Sequence, residues 1–177
     1  MTTGALIIVA LRIIIPLLIL RWALVGGIAA ILIDMFDVVL IEVIGLGGFG
    51  SHYHSLDKLL DSYYLAIEFS VAWGWTNPWA RWPALVMFPY RMLGVLLFEI
   101  TDRRIFLFVF PNIFENWWIY CLAVARMAPQ WTPRSIGTVV VPFLVLLAPK
   151  MGQEYLLHYT EAQPWDWTKE HILGGKL

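Results

Sequence analysis

The sequence has 177 residues and a net charge of −1, and it is 60% hydrophobic but only 14% charged. Because soluble proteins carry about 25% charged residues, this composition excludes an ordinary soluble domain and favours a membrane protein. The near-zero net charge gives no electrostatic reason to expect nucleic acid as a partner. A single cysteine, Cys121, excludes an internal disulfide.

The N-terminal residues 4–46 form a nearly continuous apolar run. One helix of that length would extend about 64 Å, about twice the hydrocarbon thickness of a bilayer, so two helices are predicted. The basic-aromatic pair Arg21-Trp22 suits an interface and marks the expected break. The first helix, Ala5–Leu20, contains Arg12. It either crosses the membrane with Arg12 buried against protein or lies along the surface as an anchor.

The rest of the chain predicts further apolar helices separated by turns. In the helix over Trp22–Ile44, Gly26 and Gly27 permit another helix to approach closely. Pro111 and Asn112 are predicted to interrupt the helix over residues 105–125. The other expected helices cover residues 57–75, 82–100, 105–125 and 135–147, with a short amphipathic helix over 151–159.

The fold class predicted from this pattern is an all-α, polytopic membrane helix bundle with about five or six transmembrane helices. It is a single membrane domain over residues 1–177. Ten Trp, ten Phe and seven Tyr are typical of aromatic belts at two bilayer surfaces. The expected subdivisions are an N-terminal apolar or interfacial helix (1–21), the helix bundle (22–149) and an amphipathic polar tail (150–177).

The helix over residues 57–75 carries one polar edge on an otherwise apolar cylinder. At about 100° per residue, Asp57, Asp61, Tyr64 and Glu68 fit within a stripe about 60° wide. Ser55 is the predicted N-cap of this helix. An acidic edge at membrane depth is costly in lipid, so we expect it to face the protein interior or a hydrated cavity.

Acidic residues on other predicted helices extend this edge into a candidate ion or proton site. Asp34 and Asp37 share a helix face at i and i+3, and Arg91 is the expected charge partner. Facing carboxylate pairs suit a divalent cation, and buried carboxylates also suit proton transfer. The third interpretation is purely structural, with each acid paired to a base such as Arg91 or Lys58. The candidate residues are Asp34, Asp37, Asp57, Asp61, Tyr64, Glu68 and Glu115.

Enzyme signatures such as GxSxG, HExxH and the P-loop do not occur in the sequence. The spacing DxxxD at Asp57 and Asp61 resembles the Asp-rich magnesium sites of membrane prenyltransferases and CDP-alcohol transferases. The residues that flank those motifs are missing, since no DG pair follows Asp34-Met-Phe-Asp37. The catalytic alternative is therefore a magnesium-dependent enzyme acting on lipid phosphates, with no catalytic residue assigned.

Contact with a pigment or haem is a further alternative. His158, on the predicted tail helix, offers an imidazole to a haem or chlorophyll of a neighbouring protein, although an interfacial histidine is the simpler interpretation. The Trp-rich segments AWGWTNPWARW and QPWDW also suit pigment contact, and aromatic belts explain them equally well.

Three stretches, YHSLDKLLDSYYLAIE, FEITDRR…FPNIFENWW and PKMGQEYLLH, resemble those of uncharacterised bacterial polytopic membrane proteins with no assigned function. The resemblance implies an α-helical protein of the bacterial inner (plasma) membrane. The function expected here is a non-catalytic accessory or scaffold subunit, packed against other subunits in a membrane complex of the energy-transducing kind. The competing functions are a small cation or proton transporter and the lipid-phosphate enzyme.

Overall fold

The computed structural model describes residues 3–44 and 53–160, and within these ranges it leaves the side chains at 3, 37–44, 53–55 and 158 undescribed. The two ranges are all-helical and contain no strand, as the fold class predicts. The α-helices are α1 (Thr3–Ile14), α2 (Ala23–Ile44), α3 (Tyr53–Trp73), α4 (Pro78–Thr101), α5 (Ile105–Val109), α6 (Ile113–Met127) and α7 (Ile136–Glu154).

Within residues 3–44 and 53–160, three helical stretches are long and apolar enough to cross a membrane: Pro78–Thr101, Ile105–Met127 and Ile136–Leu157. Two shorter apolar stretches, Gly4–Leu20 and Ala23–Phe36, precede them. The structure therefore gives three candidate spans by length and composition, whereas the sequence predicts about five or six.

The N-terminal helices form a tight hairpin at the predicted break. After α1 the chain tightens into a 3₁₀ segment, Ile15–Leu20, with Pro16 in its first turn, and α2 begins at Ala23. Gly26 faces this segment so closely that a Cβ there would lie 2.6 Å from the carbonyl carbon of Leu18. The close approach predicted at the glycines is confirmed, because only a residue without a side chain fits this contact.

Helix α3 begins at Tyr53, two residues before the predicted N-cap Ser55. Ser55 is therefore inside the helix, and its prediction as the N-cap is wrong. The residues before it, Tyr53 and His54, include no proline or glycine that would stop the helix from extending toward its N-terminus. The polar edge of α3 still runs along one face of a single continuous helix, as predicted.

Helix α4 has clear local signals at both ends. Asn77 is its N-cap, and its side chain accepts a hydrogen bond from the backbone N–H of Trp79 at 3.0 Å, while Pro78 takes the first helical position. The helix ends at Asp102, whose φ of 54° is left-handed and whose N–H donates to the carbonyl of Phe98. These caps place the tight polar connection to α5 where the sequence predicts it.

The predicted interruption near Pro111 separates α5 from α6. The break is bridged by side chains, since the Tyr90 hydroxyl donates to the carbonyl of Val109 at 2.7 Å. Asn112 caps α6 by accepting a hydrogen bond from the N–H of Glu115. Backbone groups released by such a break inside an apolar bundle need partners, and α4 supplies them.

The core lies where α3, α4 and α6 meet. Phe114, Trp117 and Trp118 of α6 are fully buried there. Each indole finds an acceptor: Trp117 donates to the carbonyl of Ala80 at 2.9 Å, and Trp118 donates to the carbonyl of Glu68 at 2.8 Å. Because both donors are satisfied, the two largest apolar side chains can be buried without an orphaned N–H.

Helix α7 runs past the predicted end at Leu147 to Glu154 and continues as a single π-helical turn, Tyr155–Tyr159. Lys150 and Glu154 pair within the helix at 3.3 Å, so the polar residues there extend α7. Residues 161–177, which belong to the predicted polar tail, lie outside the described ranges.

Candidate functional site

The first polar cluster joins the three N-terminal helices and is called the aspartate cluster. Asp34 comes from α2, whereas Asp57 and Asp61 come from one face of α3. Their nearest carboxylate oxygens all lie within 4.8 Å of one another. The other two members of the cluster are the bases Arg12, on α1, and Lys58, on α3.

Arg12 is the centre of the aspartate cluster. Its Nη1 donates to Asp57 Oδ1 at 2.8 Å, and its Nη2 donates to Asp61 Oδ1 at 2.6 Å and also to Asp34. Only 3% of the Arg12 side chain is exposed. A planar guanidinium with five N–H donors suits several carboxylates at once, so one residue of α1 ties α2 and α3 together.

Lys58 completes the cluster from the same helix as two of the aspartates. Its Nζ lies 2.8 Å from Asp61 Oδ2 and 2.9 Å from Asp57 Oδ2. The pairing of Lys58 with these two acids agrees with the structural interpretation of the sequence. With all groups ionised, the cluster holds three carboxylates against two cations.

The three carboxylates are the oxygen ligands that Mg²⁺ or Ca²⁺ prefers. However, each carboxylate already accepts a hydrogen bond from Arg12, and the two from α3 also contact Lys58. A divalent cation could enter only by displacing the guanidinium. The arrangement therefore fits a structural ion-pair network better than a metal site. The side chain of Asp37, the fourth predicted acid of this group, is not described.

The second cluster, called the glutamate cluster, lies further along α3 and extends to α7. Tyr64 donates its hydroxyl to Glu115 Oε1 at 3.0 Å, and Asn112 Nδ2 donates to Glu115 Oε2 at 2.8 Å. The backbone N–H of Asn112 donates to Glu154 Oε1 at 3.2 Å. These contacts link α3, α6 and the last turn of α7 through buried polar groups.

Glu68 also belongs to the glutamate cluster but differs from its neighbours. Its side chain is fully buried, and neither carboxylate oxygen has a hydrogen-bond partner among the described residues. The oxygen Oε1 lies near Gly27 of α2, where an added Cβ would be 3.4 Å away. Tyr64 and Glu68 are buried, so this part of the predicted edge faces the protein interior.

Arg91 occupies a position other than the predicted one. Its Nη1 donates to the carbonyls of Leu107 at 3.2 Å and Phe110 at 2.9 Å, at the break between α5 and α6. The bases that bond Asp34, Asp57 and Asp61 are Arg12 and Lys58, whereas Arg91 acts through its charge on another candidate acid, Glu115. Proline removes a backbone donor and breaks the helix, and the carbonyls left before it attract the guanidinium.

No protein-family model, characterised protein or solved structure matches this chain. What the two clusters can do chemically therefore follows from their geometry. The aspartate cluster pairs opposite charges, whereas the glutamate cluster holds three carboxyl groups, the buried Glu68 and Glu154 and the half-buried Glu115.

Two cavities lie between the helices, and the second borders the glutamate cluster through Pro111 and Ile113. One, of about 290 Å³, is lined by Trp75, Asn77, Cys121 and neighbouring residues. The other, of about 440 Å³, lies between α4 and α7 and is lined by apolar residues such as Met87, Phe143 and Leu147. Neither cavity is lined by a candidate acid, so neither provides a hydrated path past these carboxylates.

Several members of the two clusters are not among the site residues predicted from the sequence. Arg12 lies within an apolar run. Because an unpaired charge is costly to bury there, its position alone indicates buried acidic partners. Asn112 was visible as a capping residue after a proline. Glu154 was assigned to a polar tail, and no local signal showed that α7 would carry it back to the bundle. The side chain of His158, the candidate haem or chlorophyll ligand, is not described.

Proposed function

We propose that this chain is a non-catalytic subunit of the bacterial inner membrane, with about five or six spans, that packs against partner proteins in a larger complex. We also propose that the chain is related to the bacterial polytopic membrane proteins that it resembles. The observation that supports the proposal is the pairing of the candidate aspartates with buried bases. Asp34, Asp57 and Asp61 are bonded to Arg12, and two of them also to Lys58, as expected of groups that hold helices together.

Helix α7 supplies the surface for such a partner. Together with the start of the π-helical turn it forms an apolar stretch of 22 residues, Ile136–Leu157, yet none of the most apolar window of this stretch is buried within the chain. Gly137 and Gly152 have nothing within 4 Å of where a Cβ would lie. Val141 and Val145 are exposed on the same helix face. Small and β-branched residues on a lipid-depth face are typical of close helix–helix contacts. We propose that the complex is an energy-transducing assembly.

The proposal predicts that bulk on the exposed face of α7 releases the partner. The Val145→Trp chain is purified from native membranes in mild detergent. The amount of partner recovered with it should fall at least about tenfold relative to the wild type, because an indole cannot enter a closely packed helix interface. The control is Val25→Trp on α2, since Val25 is 59% exposed and Val145 is 65% exposed. The control should keep both the partner and the melting temperature. Equal recovery of the partner with both variants, or a wild type that purifies alone, contradicts the proposal.

A cation or proton transporter is the alternative, and Glu68 is the observation that favours it. A subunit of the proposed kind should show no flux when the purified wild type is placed in proteoliposomes under a cation or pH gradient. A transporter should show flux that disappears in amide variants, since amides keep the size of the side chain but cannot cycle a proton or balance a cation. The residues to change are Asp34, Asp37, Asp61 and Glu68. Robust flux by the isolated wild type would overturn the subunit proposal.

The lipid-phosphate enzyme has less support in the geometry. Such a site needs a metal held by the aspartates and basic groups open to the phosphate. Arg12 is buried, and the carboxylates that would hold the metal are bonded to it and to Lys58. The site would have to come apart before a headgroup could enter.

A further inference from the structure

Glu68 lies in a pocket built by two other helices. On the α2 side is Gly27, and a Cβ at that position would lie 2.5 Å from Cζ3 of Trp118 and 3.4 Å from Glu68 Oε1. On the α6 side is Trp118, which is itself fully buried. The missing side chain at Gly27 leaves the room that the carboxyl group and the indole share. The carboxyl group is thus enclosed by α2, its own helix α3, and α6.

The groups around Glu68 do not compensate a negative charge. The Trp118 indole N–H is already bonded to the backbone carbonyl of Glu68. The titratable group that acts on Glu68 from another helix is Glu115, a second acid. Both oxygens of Glu115 accept hydrogen bonds, from Tyr64 and Asn112. The contribution of α2 at this level is Gly27, which carries no charge.

Four of the buried or partly buried bases are bonded at other places, and a fifth, Arg81, lies over the rings of Trp73 and Trp82. Arg12 and Lys58 hold the aspartates, Arg91 holds the carbonyls at the break between α5 and α6, and Lys150 pairs with Glu154. An ionised carboxylate without a cation or a donor is far more costly to bury than a neutral carboxylic acid. Neutralisation of Glu68 therefore requires something that binds to the carboxyl group itself.

A metal ion fits this pocket poorly. Mg²⁺ requires six ligands in octahedral geometry, and Ca²⁺ takes six to eight oxygens. Among the residues described, the pocket offers the two oxygens of Glu68 beside an indole ring and a glycine. A proton needs only one of these oxygens and no further coordination.

We infer that Glu68 is a proton-binding site and is held as a neutral carboxylic acid in the resting protein. Release of the proton would leave an anion between Gly27 and Trp118 with no partner. Proton release must therefore accompany a local separation of α2 from α3 and α6 that admits water. This couples the protonation of one residue to the packing of three helices. The inference does not depend on the subunit proposal, because a scaffold and a transporter can both hold such a proton.

Infrared difference spectroscopy tests the inference on the full-length chain in lipid nanodiscs at pH 7. Exposed glutamates, with an ordinary pKa of about 4.3, are ionised at that pH. The spectrum of wild type minus Glu68→Gln should contain the C=O stretching band of one protonated carboxylic acid. That band should shift to lower frequency in D₂O. The matched control is Glu99→Gln, which changes an exposed glutamate of α4 and should remove only carboxylate bands.

Three results would overturn the inference. The first is an identical acid region in the wild type and Glu68→Gln. The second is loss of carboxylate bands, instead of an acid band, in Glu68→Gln. The third is an acid band that disappears in Glu115→Gln and persists in Glu68→Gln, which would place the proton on the other glutamate. If Glu68→Gln does not fold, Glu68→Asp replaces it, and the inference then requires the acid band to shift in frequency.

Discussion

Replacement of Arg12 by methionine should lower the free energy of unfolding by about 3–5 kcal/mol, the usual effect of removing one partner from a buried ion pair. Arg12 donates hydrogen bonds to three carboxylates, those of Asp34 on α2 and of Asp57 and Asp61 on α3. Methionine keeps much of the buried stem but leaves three carboxylates facing each other, and Lys58 pairs with two of them, Asp57 and Asp61. We expect the loss in detergent-solubilised protein, measured as a lower melting temperature or a lower midpoint in SDS or urea titrations.

Two variants distinguish this effect from a general loss of positive charge. Arg126→Met removes an exposed arginine from the last turn of α6 and should change stability by no more than about 0.5 kcal/mol. Arg12→Lys keeps the charge but lacks the planar fork, so its stability should lie between that of the wild type and Arg12→Met. An Arg12→Met protein as stable as Arg126→Met would mean that water already solvates the aspartate cluster.

Gly26→Ala should be strongly destabilising even though it adds only one methyl group. The new Cβ would lie 2.6 Å from the carbonyl carbon of Leu18 and 2.8 Å from Cα of Ile19. These atoms belong to the backbone, so no side-chain rotation can make room, and the hairpin between the 3₁₀ segment and α2 must open. Overpacking of this kind costs about 1–3 kcal/mol, and we expect the upper end of that range because the backbone itself must move.

Gly137→Ala is the matched control because it makes the same chemical change inside another helix. Nothing lies within 4 Å of the Cβ position at Gly137. Alanine there should be neutral or should stabilise by about 0.5–1 kcal/mol, since glycine is the poorer helix former. Unfolding curves of the two variants in the same detergent give the comparison. Similar stabilities for both would contradict the close packing of α2 on the 3₁₀ segment.

Some helix ends were predictable because their causes are local. The break before Ala23 and the interruption at Pro111 each follow from residues next to the boundary. The start of α4 at Pro78, capped by Asn77, was not predicted, because the sequence pattern placed that helix at residues 82–100. The start of α3 was not predicted, because Ser55 has the side chain of an N-cap but lies inside the helix. The extension of α7 to Glu154 was also missed, since the polar stretch that begins at Lys150 suggested an earlier end.

The choice of partner for the candidate acids could not be read from the chain. Arg91 and Arg12 are both arginines within apolar runs, and composition gives no reason to prefer either. Arg91 is held by carbonyls 16 and 19 residues away, whereas Arg12 reaches acids 45 and 49 residues away. Which arginine meets which acid depends on the angles at which the helices cross, and no local pattern encodes those angles.

The sequence by itself determined the helical class, some helix boundaries and the polar face of α3, because length, hydrophobicity and a 100° repeat are properties of a single segment. Only the tertiary structure decided the charge balance along that face. The packing of α1 brings Arg12 to Asp57 and Asp61, while the packing of Gly27 and Trp118 encloses Glu68 away from every described base. The same edge thus carries paired ions at one end and an unpartnered acid at the other, because the neighbouring helices differ along its length.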